Sequence, residues 1–494
     1  MRQRFEQQTA LGITPISEIK FPLRSRDELP PVLMALQYIF ITPDINEQVF
    51  SLLENKVCQG KKKTGRKGMD LWHILVLAVV RNTLDTNWDR LEHVANYDTL
   101  TRKILGIQTN QFDDNEVEFS YQSIIDNVSL IDEELLENIN SIVVAHGQVL
   151  FKKKENEELK LKSDSFVLET NIHFPTDLNL LWDSIRKCLD IVEELNGMTN
   201  IEGWRKLKFI RKEIKSIFRA TSQQVFRGKD EKQKKFMVQS YLASAISLNK
   251  RFSQIIKNPP QGRSLVKIIN LVLQLQKYNN YLVKFADLIE RRLLKGEKIE
   301  ASEKVYSIFE PHTEWITKGK LNRSVELGHL LLITTDQNHF IVDYKVMVGE
   351  KDALQIKPLS ERIQKLYPDI KIFSHSFDKG FFSKDNFQIL QQAEIENIVL
   401  PKKGKLNKEE KEREGGKEFK TLRNAHSAVE SNINMLEHHG LNRCPDKGLD
   451  GYKRYVGLSV LAYNIHILGN HLKAKEIKKE KMRQKQRDRY RQAA

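Results

Sequence analysis

Cysteine is scarce in this sequence of 494 residues, and its three cysteines lie far apart. Cys58, Cys188 and Cys444 form none of the paired spacings that are typical of a zinc site or a disulfide framework. We therefore expect neither kind of cross-link, which suits the reducing environment of the cytoplasm.

Long apolar runs are also absent. The longest of them, near residues 71–80 and 457–468, are shorter than the ~20 residues that a membrane-spanning helix needs. The amino-terminal residues lack the apolar core of a signal peptide. Together these absences predict a soluble, cytoplasmic protein that has no membrane partner.

Basic residues, by contrast, are in excess. The chain contains 80 Lys and Arg against 65 Asp and Glu, which gives a formal net charge of +15. This excess favours a polyanionic partner, although charge alone would equally suit a ribosome or a membrane. A basic tail at residues 471–494 concentrates the excess, and we expect it to be a solvated helix or a disordered arm with nonspecific affinity for phosphate groups.

Alternating apolar and charged residues predict a strand over residues 159–165. Its polar face would carry Lys160, Lys162 and Asp164. Asp164 therefore points away from the buried side of the predicted sheet.

A second strand is predicted by the apolar run at residues 370–373. Gly380 shortly after it indicates a turn, which would deliver Asp378 to a sheet edge. Ser383 then serves as the N-cap of a helix that contains Phe387 and Leu390.

A third acidic residue lies on an amphipathic helix that we predict over residues 421–437. Apolar residues recur there at spacings of three and four and would form one buried stripe, namely Leu422, Ala425, Val429, Ile433 and Leu436. A polar row runs beside the stripe at the same spacings, namely Arg423, His426, Glu430, Asn434 and Glu437. One flank of a packed helix would thus present a cation, an imidazole and acids to a cleft.

Carboxylates in such contexts suit divalent metal ions. Mg²⁺ prefers oxygen ligands and completes its shell with water and phosphate oxygens, so two or three carboxylates suffice. Two ions ~3.5–4 Å apart can activate an attacking oxygen and stabilise a leaving one. A single Asp is usually a solvated surface group, so the prediction rests on Asp164, Asp378 and Glu430 taken together in their contexts.

Several spaced motifs strengthen this interpretation. They are Asp164 with Asn171-Ile172-His173-Phe174-Pro175-Thr176-Asp177, then Asp378-Lys379-Gly380-Phe381, Val429-Glu430-Ser431-Asn432-Ile433-Asn434, Gly440-Leu441-Asn442-Arg443-Cys444 and Ala462-Tyr463-Asn464, with Gly65-Arg66-Lys67-Gly68 earlier. In these residues the sequence resembles the DDE transposases of bacterial insertion sequences, whose catalytic domain is similar to RNase H and retroviral integrase. The resemblance covers about residues 60–470. It implies that Asp164, Asp378 and Glu430 are the catalytic, metal-binding triad, which holds two Mg²⁺ or Mn²⁺ ions.

The resemblance also implies a domain organisation. A helical N-terminal segment at 1–59 and a helical domain at 60–150 would precede an RNase H-like catalytic domain at 155–177 and 300–470. A helical insertion at 178–299 would interrupt that domain. We expect a mixed five-stranded sheet, with the strand signals near residues 164, 327–333, 340–344, 370 and 398 and a hairpin turn at 335–338.

The implied partners are DNA molecules: the terminal inverted repeats of the element and the target DNA. A homodimer on paired ends and a nucleoid-associated location in a bacterial cytoplasm are implied in the same way. The open alternatives are a metal-dependent RNase H-like nuclease that cuts without joining, and a non-catalytic DNA-binding protein derived from a transposase.

The sequence departs from the family near the glutamate. Many relatives place a tyrosine and an arginine before it and a lysine after it, where this chain has Arg423, His426 and Glu437. Acidic Glu437 cannot contact a phosphate as a lysine would. We expect Arg423 to support DNA binding and His426 to orient Glu430 or touch the scissile strand, with a packing role as the alternative for His426.

Two further regions are candidates for DNA contact. A glycine-punctuated basic segment precedes three short predicted helices between residues 70 and 106, which could form a helix-turn-helix module or a dimerisation bundle. Its candidate DNA-binding residues are Lys61, Lys62, Lys63, Arg66 and Lys67. In the insertion, the stripe Leu207, Ile210, Ile214 and Ile217 runs beside a basic row formed by Lys208, Arg211, Lys212, Lys215 and Arg219. This row is either a clamp on DNA or an ordinary solvated helix face.

Composition also predicts that residues 401–420 form a mobile loop, with eight basic residues and five acids. This loop would either order on DNA or act as a plain connector. We expect Trp182, Trp204 and Trp315 to be core aromatics rather than platforms for base stacking.

Overall fold

The computed structural model describes residues 2–7, 13–60, 68–107, 117–151, 158–317, 325–368 and 370–493. Within these ranges the architecture is mixed α and β, with a mixed sheet of seven strands. The chain divides into two compact units. The first, which we call the sheet unit, comprises Met1–Asn171 and Ile316–Ala494, and the second, the helical unit, comprises Ile172–Trp315.

The sheet unit begins with helices that pack around a largely apolar core. They are α1 (Leu29–Ile41), α2 (Pro43–Val57), α3 (Leu71–Thr83), α4 (Trp88–Tyr97), α5 (Thr99–Leu105), α6 (Tyr121–Val128) and α7 (Glu133–Phe151). Asn87 caps α4, because its Oδ1 accepts a hydrogen bond from the Arg90 N–H at 2.8 Å. Gly106 ends α5 in the left-handed region with a φ of 70°.

Helix α3 is buried along its whole length. Any DNA contact made by the three predicted helices therefore falls to α4 and α5, since α4 exposes Asp89, Arg90 and His93. The basic residues Lys61, Lys62, Lys63, Arg66 and Lys67 lie outside the described residues.

The helical unit has its own apolar core. Its long helices are α8 (Asp177–Thr199), α9 (Leu207–Arg227), α10 (Glu231–Lys257) and α11 (Leu265–Ile289). Pro259 and Pro260 fall between α10 and α11, as expected of residues that interrupt helices. Trp204 is buried as predicted, but the expectation for Trp315 was wrong, because this side chain is 39% exposed and contacts Phe174 and Tyr306 near the surface.

All five predicted strands are present in the sheet. The strands are β1 (Leu159–Thr170), β2 (Glu314–Thr317), β3 (Val325–Thr335), β4 (Ile341–Met347), β5 (Ile372–Phe377), β6 (Asn397–Val399) and β7 (Arg443–Cys444), of which β2 and β7 were not predicted. The order is β2-β3-β1-β5-β6, with β4 paired to β3 and β7 paired to β1. Strand β3 is antiparallel to both β1 and β4, whereas β5 is parallel to both β1 and β6.

The hairpin turn between β3 and β4 is confirmed and is fastened by Asp336. Its Oδ1 accepts hydrogen bonds from the N–H groups of Asn338 (2.8 Å) and Phe340 (2.9 Å), and its Oδ2 accepts one from Gln148 Nε2 (2.8 Å). Burial raises the pKa of Asp336, although these hydrogen bonds oppose the shift.

Helices complete the sheet unit after β4. They are α12 (Ile356–Leu366), α13 (Lys384–Gln392), α14 (Lys408–Gly415), α15 (Lys417–His426), α16 (Ala428–Leu436) and α17 (Gly448–Ala493). Ser383 caps α13 as predicted, because its Oγ accepts a hydrogen bond from the Asn386 N–H at 3.0 Å.

The prediction of a structureless loop at residues 401–420 was wrong, because this stretch contains α14 and the start of α15. Asn407 and Glu410 form a capping box at the start of α14. Lys402 further contacts both carboxylate oxygens of Glu410 at 2.9 Å. An ion pair and a capping box thus stabilise a helix in a segment whose composition predicted a mobile loop.

The single helix predicted over residues 421–437 is broken at Ser427 into α15 and α16. The Ser427 N–H donates to the Asn424 carbonyl, and the Glu430 N–H donates to the Ser427 carbonyl, so the spacing tightens to three residues at this point. The predicted apolar stripe is buried at Val429 and Leu436, whereas Ala425 of α15 is exposed.

The amino-terminal half of α17 is a buried strut that contacts α1, α3 and α7. The motif residue Asn464 is buried there, where its side chain bonds both the N–H and the carbonyl of Ile341 at 2.8 Å. The helix continues through the basic tail, whose side chains are mostly exposed from Lys478 onward. None of the described helices has both the length and the apolar character that crossing a bilayer requires.

Candidate active site

Asp164 and Asp378 lie at the point where the pairing of the neighbouring parallel strands β1 and β5 ends, Asp164 in the middle of β1 and Asp378 just after β5. The last two pairs of β1 with β5 are Lys162 with Ser376 and Ser163 with Phe377, so Asp164 and Asp378 are the next residues on each side. Adjacent strands are separated by about 4.8 Å. Asp378 is exposed and opens a short 3-10 turn, at the carboxyl end of a strand that β1 and β6 flank.

Strand alternation places both acids on one face of the sheet. Lys162 and Ser376 are paired residues, and paired residues of parallel strands point to the same side. Asp164 and Asp378, each two residues further along, belong to that face as well. The predicted grouping of Lys162 with Asp164 is therefore consistent with the observed register.

His426 of α15 joins this face. Its Nδ1 lies 2.9 Å from the Ser376 Oγ, which fixes α15 over the end of β5. Burial lowers the pKa of His426, the nearby carboxylate of Asp378 raises it, and the charge of Lys162 lowers it. The imidazole is thus close enough to Asp378 and Lys162 to sense both charges.

The opposite face of the same strands carries a buried polar chain. The Ser163 Oγ lies 2.7 Å from the Thr334 Oγ1 and 2.7 Å from the His375 Nε2. Burial and the charge of His426 lower the pKa of His375 to about 3, so the ring is neutral near pH 7. These contacts lock β1, β3 and β5 together directly behind the two aspartates.

Glu430 comes from the helical side. It is exposed on α16, one residue after buried Val429, and α16 contacts β1. Arg423 is exposed on α15, and Glu437 is exposed where α16 passes into a short π-helical turn.

Among the described residues, no three His, Cys, Asp or Glu side chains are close enough together to hold a metal ion. Asp164 and Asp378 are adjacent, and the helix of Glu430 contacts β1. In the described residues, however, the three carboxylates do not form a set of metal ligands.

Sequence reasoning missed two residues beside this site. Asp352, in the turn after β4, accepts a hydrogen bond from the Ser165 Oγ at 2.7 Å. Buried Asn386 of α13 donates to the carbonyls of Ala353 (2.8 Å) and Phe381 (2.7 Å). No periodicity or spacing marks either residue, because each acts across loops that are remote in sequence.

The basic row predicted on α9 is only partly available for a ligand. Lys208, Lys212 and Lys215 are exposed. Arg211, by contrast, forms ion pairs with Asp190 and Glu193 of α8, and its expected contact with DNA stays a prediction.

No protein-family model, curated protein or solved structure matches this chain. Its function is therefore inferred from its own residues and their geometry.

Proposed function

We propose that this protein is a DDE-type transposase that cuts DNA at the ends of an insertion sequence and joins those ends to target DNA. The observation that carries the proposal is the adjacency of Asp164, in the middle of β1, and Asp378, just after β5, on the face that α15 covers through His426.

The order of the strands supports this proposal. Along the path β4-β3-β1-β5-β6, three strands that follow one another in sequence, apart from the short β2, pair antiparallel. Two parallel strands, each followed by a helix, then extend the sheet on the other side of β1. This arrangement is the one expected of an RNase H-like domain, with its acids at the carboxyl end of the fourth strand and in the middle of the first.

The residues fit a pair of Mg²⁺ or Mn²⁺ ions in their donor chemistry. Asp164 and Asp378 offer neighbouring carboxylates, and hard cations of this kind keep several water ligands, so few protein ligands are needed. Exposed Glu430 supplies the third carboxylate, and the break at Ser427 is the place where α16 can adjust toward β1. When bound, the ions would lower the pKa of water and stabilise the leaving oxygen.

The reaction consists of two phosphoryl transfers. In the first, water attacks the phosphodiester at the element end, and the P–O3′ bond breaks to release a 3′ hydroxyl. In the second, that hydroxyl attacks a phosphodiester of the target, and the target's own 3′ oxygen leaves. Asp164, Asp378 and Glu430 would hold the ions against the phosphate, while Lys162 and Arg423 provide positive charge near it.

An assay of cleavage and joining with full-length protein and duplexes that carry the element ends tests the proposal. Asp164→Asn, Asp378→Asn and Glu430→Gln should each lower both reactions by at least about 1,000-fold, or ~4 kcal/mol. Gel shifts should show DNA binding within a few-fold of wild type. Asp385→Asn, an exposed acid on α13, is the matched control and should be fully active.

The outcomes separate the alternatives. Cleavage without joining would identify a nuclease that uses the same carboxylates. DNA binding without any metal-dependent turnover would identify a non-catalytic DNA-binding protein. Undiminished cleavage by Asp164→Asn or Asp378→Asn would reject the proposed site itself.

A further inference from the structure

A single residue, Ser165, links Asp352 to Asp164 through two hydrogen bonds. Its Oδ1 accepts the hydrogen bond from the Ser165 Oγ at 2.7 Å, and the Ser165 N–H donates to the Asp164 Oδ1 at 2.7 Å. Ser165 therefore links the two carboxylates, with its side chain on one and its backbone on the other.

The second oxygen of Asp352 faces the turn that follows Asp378. A Cβ atom at Gly380 would lie 3.1 Å from the Asp352 Oδ2, which is tighter than ordinary contact. Gly380 is only two residues after Asp378. The lack of a side chain at position 380 thus lets the carboxylate of Asp352 approach the Asp378 turn closely.

Asn386 forms hydrogen bonds with both of these turns. Its single Nδ2 donates both to the Ala353 carbonyl, in the turn of Asp352, and to the Phe381 carbonyl, in the turn of Asp378. Because Asn386 is buried, these hydrogen bonds are shielded from competing water.

We infer that Asp352 is a positioning residue that holds the Asp164 strand and the Asp378 turn in the spacing that metal binding requires. This inference rests on the proposed function. Asp352 supports the site from behind, because Ser165 and Asp164 are consecutive in β1 and their side chains point to opposite faces of the sheet. Its role is therefore to orient the metal ligands and not to coordinate the ions.

Calorimetric titration of full-length protein with Mn²⁺ tests this role. Groups that orient metal ligands typically contribute 10- to 100-fold to affinity, so Asp352→Ala should weaken Mn²⁺ binding by roughly tenfold or more. Ser165→Ala should have a similar effect, and the double variant should be no weaker than either single variant, because both remove one hydrogen bond.

The conservative variant separates positioning from coordination. Asp352→Asn retains an oxygen that accepts from Ser165, so it should bind Mn²⁺ within about threefold of wild type, a difference of under ~0.7 kcal/mol. A metal ligand would lose affinity as strongly in Asp352→Asn as in Asp352→Ala. Asp385→Ala is the control, and thermal unfolding of each variant verifies that it is folded.

The results distinguish this inference from the proposed function. Wild-type affinity in Asp352→Ala, together with lost affinity in Asp164→Asn, would overturn the role of Asp352 and leave the metal site intact. Equal loss in the Asn and Ala variants would overturn positioning in favour of coordination. A wild-type protein that binds no Mn²⁺ would overturn the proposed function, and the inference with it.

Discussion

The two halves of the candidate site are held in different ways. The strand half, Asp164 and Asp378, sits on β1 and β5, whose pairing and buried Ser163–His375 contact fix the backbone on both sides of the site. The helix half, His426 and Glu430, sits on α15 and α16, which are separated by the break at Ser427. Of these two residues, His426 is anchored to the strands by its hydrogen bond to Ser376.

Paired strands therefore hold their side chains more rigidly than a packed helix does. Parallel pairing sets the separation of two strand residues almost independently of their side chains. The position of Glu430 depends instead on how the short helix α16 packs, so the helix half is where binding of metal and DNA can reorganise the site.

As the pH falls, His426 in the helix half should become protonated before His375 in the strand half. The accompanying loss of unfolding free energy is the largest effect that we expect. Burial lowers the pKa of both His375 and His426 below the usual 6.5, but the carboxylate of Asp378 opposes the shift at His426. Both rings are neutral in the folded protein. Their stabilising contribution is therefore complete above pH 6.5 and is lost as the pH falls, down to about 3 for His375.

Each unit of pKa shift corresponds to ~1.4 kcal/mol, so His375 alone accounts for several kcal/mol of unfolding free energy lost in acid. The buried pair His439 and His466, whose pKa values burial lowers to about 4, should add to this loss. Imidazole resonances followed by NMR against pH check the order. Titration of His375 at or above the pH at which His426 titrates would contradict the predicted difference between the two halves.

Removing the hydroxyl behind the strand half should have the next largest effect. Ser163→Ala leaves His375 Nε2 and Thr334 Oγ1 without this buried partner, which should lower the free energy of unfolding by about 1–3 kcal/mol. Ser427→Ala is the matched change in the helix half, where the exposed hydroxyl only bonds the Asn424 carbonyl. We expect it to cost under about 0.5 kcal/mol in urea unfolding. Equal losses from the two variants would contradict the distinction.

Amide hydrogen exchange should also differ between the two halves, and this is the smallest effect that we expect. Addition of Mg²⁺ and end DNA should slow exchange at the amides of residues 427–430 by about tenfold, or ~1.4 kcal/mol. The amides of residues 162–165 should change little, because they already belong to the paired core of the sheet. Protection confined to β1 would show that the helix half does not take part in binding.

Sequence patterns predicted the strand half well. Alternation over residues 159–165 and the apolar run at residues 370–373 depend on local chemistry. Both strands formed, although β1 continues to Thr170 and β5 begins at Ile372 and ends at Phe377. The adjacency of β1 and β5 was accessible only through the family resemblance, because pairing between strands about two hundred residues apart leaves no local signal.

The helix half and the supports of the site were predicted less well. Periodicity extends through Ser427 and gives no sign of the break, nor of the contacts that α15 makes with β5 and β6. The loop prediction for residues 401–420 rested on composition alone and therefore missed α14, which the capping box of Asn407 and Glu410 begins. Asp352 and Asn386 act through loops, where side-chain partners follow from the fold rather than from spacing.

Anomalous diffraction from crystals of the protein with Mn²⁺ and end DNA tests the central claim most directly. We predict Mn²⁺ bound by oxygen atoms of both Asp164 and Asp378, with the Glu430 carboxylate completing the protein ligands and a DNA phosphate opposite them. Mn²⁺ bound elsewhere, with Asp164 and Asp378 contacting neither metal nor phosphate, would contradict the account.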